Sequence, residues 1–141
     1  MKRLLPIFKT SFFVPLFGDG STKFQPVFID DVSLAINQII NTSITGKSIY
    51  ELAGPRIYSY KEFFNHISNF LNKTRVLVPV PMGVMKPMIN IAEKTPISPL
   101  TSEQLMLFEK DNLAVNVDKS FENLDINPQD TLQILKNIVV N

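Results

Sequence analysis

The chain has 141 residues, 45% of them hydrophobic and 19% charged, with 10 Pro, 5 Gly and neither Cys nor Trp. That is one domain's worth of chain, too apolar for a disordered segment, and the lack of cysteine removes a disulfide scaffold, a thiolate metal site and a Cys nucleophile together. The 14 Lys and Arg are nearly balanced by 13 Asp and Glu and are scattered along the sequence, so the basic stripe that a nucleic-acid binder needs to neutralise phosphates is not visible.

Only the start, Met1 to Phe8, imitates a targeting signal, and Pro6 and Lys9 interrupt it before it reaches the roughly 7–15 continuous apolar residues of an export signal. No window approaches the ~18 apolar residues of a membrane span, because Pro79, Pro81 and Pro87 divide the most apolar region. A soluble or peripheral protein is expected, without direct membrane insertion, and the lack of cysteine is compatible with a reducing compartment.

Residues 1–17 are apolar with little periodicity and end at Gly18-Asp19-Gly20-Ser21, a turn cluster. Phe24 to Ile29 reads as a short extended segment, with Pro26 at an edge or strand start. Asp30 or Asp31 is placed to cap a helix over 31–41, whose face is Val32, Ala35, Ile36, Ile39 and Ile40; Gly46 closes its loop. Ser48 to Ala53 is the next strand, stopped by Gly54-Pro55. Ser59 and Glu62 form a capping box for a helix over 60–71 that buries Phe63, Ile67, Phe70 and Leu71. Arg75 to Val80 returns to β-branched residues and reads as a strand.

From Met82 a helix places Met85, Met88, Ile89 and Ala92 on one face, with Pro87 expected in its first turn. The Pro-rich break at Thr95–Pro99 precedes a second capping pattern, Thr101-Ser102-Glu103-Gln104, and a short helix through Phe108. Asn127-Pro128-Gln129-Asp130 supplies a cap, a first-turn proline and an acid for a last helix over 129–139, with Leu132, Leu135, Ile138 and Val139 inward. Two strand-to-helix alternations favour an α/β fold.

Candidates for catalysis are few. His66, the single histidine, falls beside the apolar stripe of its helix and reads as a surface residue. One histidine and no cysteine leave no zinc site of ordinary composition. The adjacent Asp30 and Asp31 point in different directions at a helix start, where capping accounts for them better than metal binding. Gly18-x-Gly20 lacks a third glycine and does not open onto a helix, so it reads as a turn. No glycine fingerprint seats a dinucleotide pyrophosphate, and none of Tyr50, Tyr58 and Tyr60 has a lysine four residues later. No catalytic, cofactor-binding or metal-binding residue is therefore assigned.

The run from Pro15 through Gly18-Asp19-Gly20 and Phe24-Gln25-Pro26-Val27-Phe28-Ile29-Asp30-Asp31-Val32, followed by Tyr50-Glu51-Leu52-Ala53-Gly54-Pro55, resembles the carboxy-terminal half of extended short-chain dehydrogenase/reductase proteins. Val78-Pro79-Val80-Pro81, Pro99 to Gln104, Asp111-Asn112 and Leu124 to Pro128 extend the likeness over nearly the whole chain. It is most similar to the atypical branch of this NAD-dependent epimerase/dehydratase-like superfamily that contains the nucleotide-binding accessory subunit of respiratory complex I. The resemblance implies an α/β fold in which 1–58 completes a Rossmann-type sheet and 59–141 builds a small, mostly helical substrate-side lobe, as a single truncated domain. The half carrying the glycine fingerprint would lie upstream, so NAD(P) is implied for an intact relative and no cofactor for this chain alone.

Many sugar-nucleotide enzymes of the superfamily carry arginine where Phe24 stands and again shortly before the Asp111 position, where this chain has Glu109 and Lys110. Arginine is the residue suited to gripping a diphosphate with two bonds, which counts against a nucleotide-sugar substrate. Asp125 replaces a glycine, and aspartate tolerates the left-handed turn required there. Phe24 and Gln25 are the positions expected to line the substrate-side cleft. The resulting expectation is a non-catalytic fragment of a complex-I-accessory-like protein, cytoplasmic or held at the inner membrane by a protein partner, and prone to self-association. The alternative is one half of a split NAD(P)-binding protein completed by a separate Rossmann half.

Overall fold

A computed structural model of the chain describes residues 5–42, 47–92, 105–115 and 120–140. Helix α1 (Leu5–Thr10) leads into β1 (Phe13–Phe17) and the two-residue β2 (Lys23–Phe24), and these are followed by α2 (Ile29–Asn41), β3 (Tyr58–Ser59) and α3 (Tyr60–Phe70). Strand β4 (Val76–Val80), α4 (Met82–Ala92), a 3-10 turn at Glu122–Leu124 and α5 (Thr131–Val140) complete the order. β1 and β4 pair in parallel, Phe13 opposite Val76 and Phe17 opposite Val80, while β2 and β3 pair antiparallel. This mixed α/β architecture with a small parallel sheet is the class expected from the sequence.

The capping box forms as its residues dictate. Ser59 Oγ accepts from the Glu62 backbone N–H at 3.2 Å, and Glu62 Oε2 accepts from the Ser59 N–H at 2.9 Å. The helix it opens buries Phe63, Phe64 and Ile67 against Phe8, Leu16, Phe17, Met85, Leu132 and Leu135, which form the main core. Phe8 meets Phe64 edge-on with ring centres 5.1 Å apart, a favourable arrangement of ring edge against ring face. A second cluster gathers Ala35, Phe121 and Leu124, with Val27, Val32, Leu52 and Ile126 around it.

The turn after β1 needs a left-handed residue at Gly20, φ 75°, where a Cβ would also strike the Leu16 side chain. Asp19 closes it, accepting from Ser21 N–H at 2.9 Å and Ser21 Oγ–H at 2.6 Å. These bonds favour the ionised form and hold the Asp19 carboxyl below its ordinary value.

Several local expectations are corrected. The apolar start divides into α1 and β1, whereas 48–53 joins no ladder: no strand lies alongside it among the described residues, and β propensity alone forms no strand there. α2 opens at Ile29 after Phe28, and neither Asp30 nor Asp31 caps it. Ile36 and Ile40 stand exposed while Asp31 is buried, so the inward face is rotated from the periodic one. Pro87 lies inside α4, because Pro81 already accepts from the Val84 and Met85 N–H groups and starts the helix earlier. Met88 is exposed. α5 begins at Thr131, and its cap is Asp130, whose Oδ1 accepts from Leu132 N–H at 2.9 Å; Asn127 and Pro128 remain in the preceding loop, and Ile138 is exposed. Gly46, the Thr95–Pro99 break, the Thr101–Gln104 capping pattern and the side chains of Ala92 and Val139 lie outside the described residues.

Candidate functional site

A cleft of about 650 Å³ opens between Gln25, the 51–55 segment, Ala114 and the 120–128 loop. Gln25 joins its walls. Its Nε2 donates to Gly54 O at 2.7 Å, its Oε1 accepts from Ala114 N–H at 3.3 Å, and its backbone N–H donates to Asn112 O at 3.1 Å. Gly54 is buried, and a Cβ there would overlap the Pro26 carbonyl oxygen, so the wall depends on a residue without a side chain.

The loop closing the other side is fixed by two aspartates. Asp31, 2% exposed, accepts from the Gln129 N–H at 2.8 Å and from Gln129 Nε2 at 3.2 Å. Asp130 caps α5, accepts from Tyr58 Oη–H at 3.0 Å and pairs with Arg56 at 3.2 Å. Asp125 adopts the left-handed conformation, φ 53°, that its glycine-like position requires. A buried carboxylate surrounded by N–H donors is a structural tie, and Asp31 has that arrangement.

Three carboxylates, Glu51, Glu122 and Asp125, line the cleft, and among the described residues no lysine or arginine lines it. Glu51 Oε2 accepts the Val115 N–H at 2.8 Å. Among the described residues a diphosphate entering here would meet like charge and none of the bidentate donors that suit it.

Phe24 and Gln25 are adjacent but serve different surroundings. Phe24 stacks on Tyr60, ring centres 4.4 Å apart and 14° from parallel, and meets Phe63 edge-on at 5.1 Å; Gln25 lines the cleft. Phe24 also bridges to Asn112, and Lys23 N–H donates to Asp111 Oδ1 at 2.8 Å, so the two regions that hold diphosphate arginines in sugar-nucleotide enzymes do meet. Here they meet through the backbone bridge and the Asp111 carboxylate, the Phe24 ring packs on Tyr60 and Phe63, and Glu109 is paired with Lys86 of α4. His66 is exposed, 6.2 Å from the Tyr58 ring.

Burial raises the Tyr60 hydroxyl above its ordinary value, and burial followed by the bond to Asp130 raises Tyr58. Both stay protonated near neutrality and are poorly matched to general-base work. Among the described residues no group of three His, Asp or Glu could hold a metal ion. Sequence reading missed Asp31 as a loop tie, the triple role of Asp130 and the close approach at Gly54. The Tyr58–Asp130 pairing joins positions 72 apart and leaves no local spacing to read.

No family model matches the chain. Over 128 residues it is 31% identical to NADH dehydrogenase [ubiquinone] 1 alpha subcomplex subunit 9, mitochondrial, of Arabidopsis thaliana, an alignment covering 82% of this chain and 31% of that protein. Over 109 residues it is 28% identical to the NADH-ubiquinone oxidoreductase 40 kDa subunit, mitochondrial, of Neurospora crassa, covering 77% of this chain and 29% of that protein. The chain thus spans about a third of the length of these curated relatives.

Proposed function

From its kinship with these complex I subunits, relatives of the extended short-chain dehydrogenases/reductases, we propose that the chain is a non-catalytic, accessory part of an NAD(P)-binding protein and supplies its substrate-side lobe. The observation that carries this is the match to both relatives over about four-fifths of this chain, in a sequence with neither a glycine fingerprint nor Tyr-x-x-x-Lys. In this reading the Rossmann half that binds NAD(P) meets the apolar stripe of Ile29, Ile36 and Ile40, which share one face of α2 at i, i+7 and i+11 and stand exposed. Phe24 and Gln25 belong to the ligand side of the assembled cleft, Gln25 in its wall and Phe24 behind it. Respiratory complex I is the assembly in which such a part would serve, peripheral to the inner membrane.

The test is NADH binding by calorimetry, to the chain alone and to its mixture with a protein carrying the Rossmann half. The expected result is no heat from the chain alone; binding by the chain alone overturns the reading. Binding by the mixture would establish the second form of the proposal, a split protein whose two halves fold together. Light scattering adds an independent check, since an uncovered apolar stripe favours self-association and a monodisperse monomer would count against it.

A further inference from the structure

The charges that look scattered in the sequence are sorted by the fold. Neither residues 5–18 nor residues 63–92 contain an aspartate or glutamate, and together they hold Lys9, Lys73, Arg75 and Lys86, the last of which pairs with Glu109. The parallel pairing of β1 with β4 brings these two acid-free segments together. Arg75 Nε donates to Phe8 O at 2.8 Å and Lys73 Nζ to Lys9 O at 2.9 Å, so the 73–75 loop lies against the end of α1. Both cations are bonded to backbone carbonyls, which orient them without cancelling their charge.

Beside them the outward face of the β1–β4 pair is apolar. Phe13 and Val76 are register partners, as are Pro15 and Val78, and partners across a ladder share one face. Phe13 is 60% exposed and Phe12, edge-on to it at 5.1 Å, is 53% exposed. Parallel strands are ordinarily covered on both faces. Next to the patch is a second cleft of about 460 Å³, lined by Asn65, Asn69, Asn72, Lys73 and Arg75 among others and, among the described residues, by no carboxylate.

We propose that this face adsorbs directly to an anionic lipid bilayer, with Phe12 and Phe13 entering the headgroup boundary and Lys9, Lys73 and Arg75 meeting lipid phosphates. Positive charge around protruding aromatic rings complements a surface that is anionic outside and apolar beneath. A protein partner fits less well, because the cores of protein interfaces are depleted in lysine, whereas long cationic stems can lie along an apolar boundary with their heads in water. No helix among the described residues is long and apolar enough to cross a membrane, so the contact is adsorption.

The test is flotation of the full chain with phosphatidylcholine vesicles, with and without phosphatidylglycerol, over a salt series. Binding to the anionic vesicles alone, weakened by salt, is expected. Lys9→Gln and Lys73→Gln should each weaken it about fivefold, and Phe12→Ser with Phe13→Ser should remove the part that survives high salt. No binding, equal binding to neutral vesicles, or phenylalanine variants that bind like the parent would each overturn the proposal. Circular dichroism of every variant, together with the salt series on the unmodified chain, separates loss of the face from loss of the fold.

Discussion

Replacing Asp130 by alanine removes three interactions at once, and their magnitudes can be assigned separately. Losing the cap on α5 costs about 1 kcal/mol, and losing a charged acceptor for the Tyr58 hydroxyl costs about 2 kcal/mol. The pair with Arg56 contributes little, because the arginine side chain is 65% exposed and solvent screens it. Asp130→Ala should therefore destabilise by about 3 kcal/mol, which lowers a urea midpoint by about 1.5 M at a slope of about 2 kcal/mol/M. Asp130→Asn keeps a capping oxygen and should cost about 1 kcal/mol. In a double-mutant cycle Tyr58→Phe should cost less in the Asp130→Ala background than in the parent. Equal stability of Asp130→Ala and Asp130→Asn, or strict additivity with Tyr58→Phe, would refute the shared role.

Gly54→Ala should destabilise by more than 2 kcal/mol or displace the 51–55 segment, since the new Cβ meets backbone at Pro26; thermal unfolding beside a crystal structure of the variant checks it. Gln25→Ala should cost about 1–2 kcal/mol and speed hydrogen exchange at the Ala114 amide, which loses its acceptor. Glu62 has a carboxyl lowered from 4.5, chiefly by the backbone and side-chain bonds of Ser59. Its stabilisation is present above that unfolded value and is lost as pH falls through the lower folded one, so a Ser59→Ala variant should show a flatter acid limb in stability against pH. Pro87→Ala should raise stability by at least 1 kcal/mol, because it restores an N–H donor and relieves the clash inside α4; an unchanged or lower urea midpoint would show that the ring is held by packing.

Local signals carried well wherever both partners lie within one turn. The Ser59–Glu62 box and the Gly18–Gly20 turn were legible, since each is decided by neighbours in sequence, whereas the left-handed Asp125 was read through the glycine that relatives carry there. What failed was whatever depended on a distant partner. Apolar periodicity at Ile36, Ile40 and Met88 named faces that this fold leaves exposed, and 48–53 has strand composition but no ladder. The α5 start was displaced because Asp130, engaged with Tyr58 and Arg56, captured the capping role from Asn127. Gln25, singled out through family likeness, lines a cleft in the structure, whereas Gly54 and Asp31 act on chain remote from them.

The order in which ribosomes deliver the chain gives the parallel sheet a cost in time. β1 emerges with its apolar residues before α2 and α3, and its only ladder partner among the described residues, β4, comes after both. Asp31 waits longer still, since its acceptor oxygens are met by Gln129, 98 positions later. Closing such distant pairs is slow relative to helix formation and leaves strand edges open meanwhile. The nascent chain would therefore hold α3, with its own capping box, as the early structured unit, and the cleft would take shape only once α5 has been synthesised and docked.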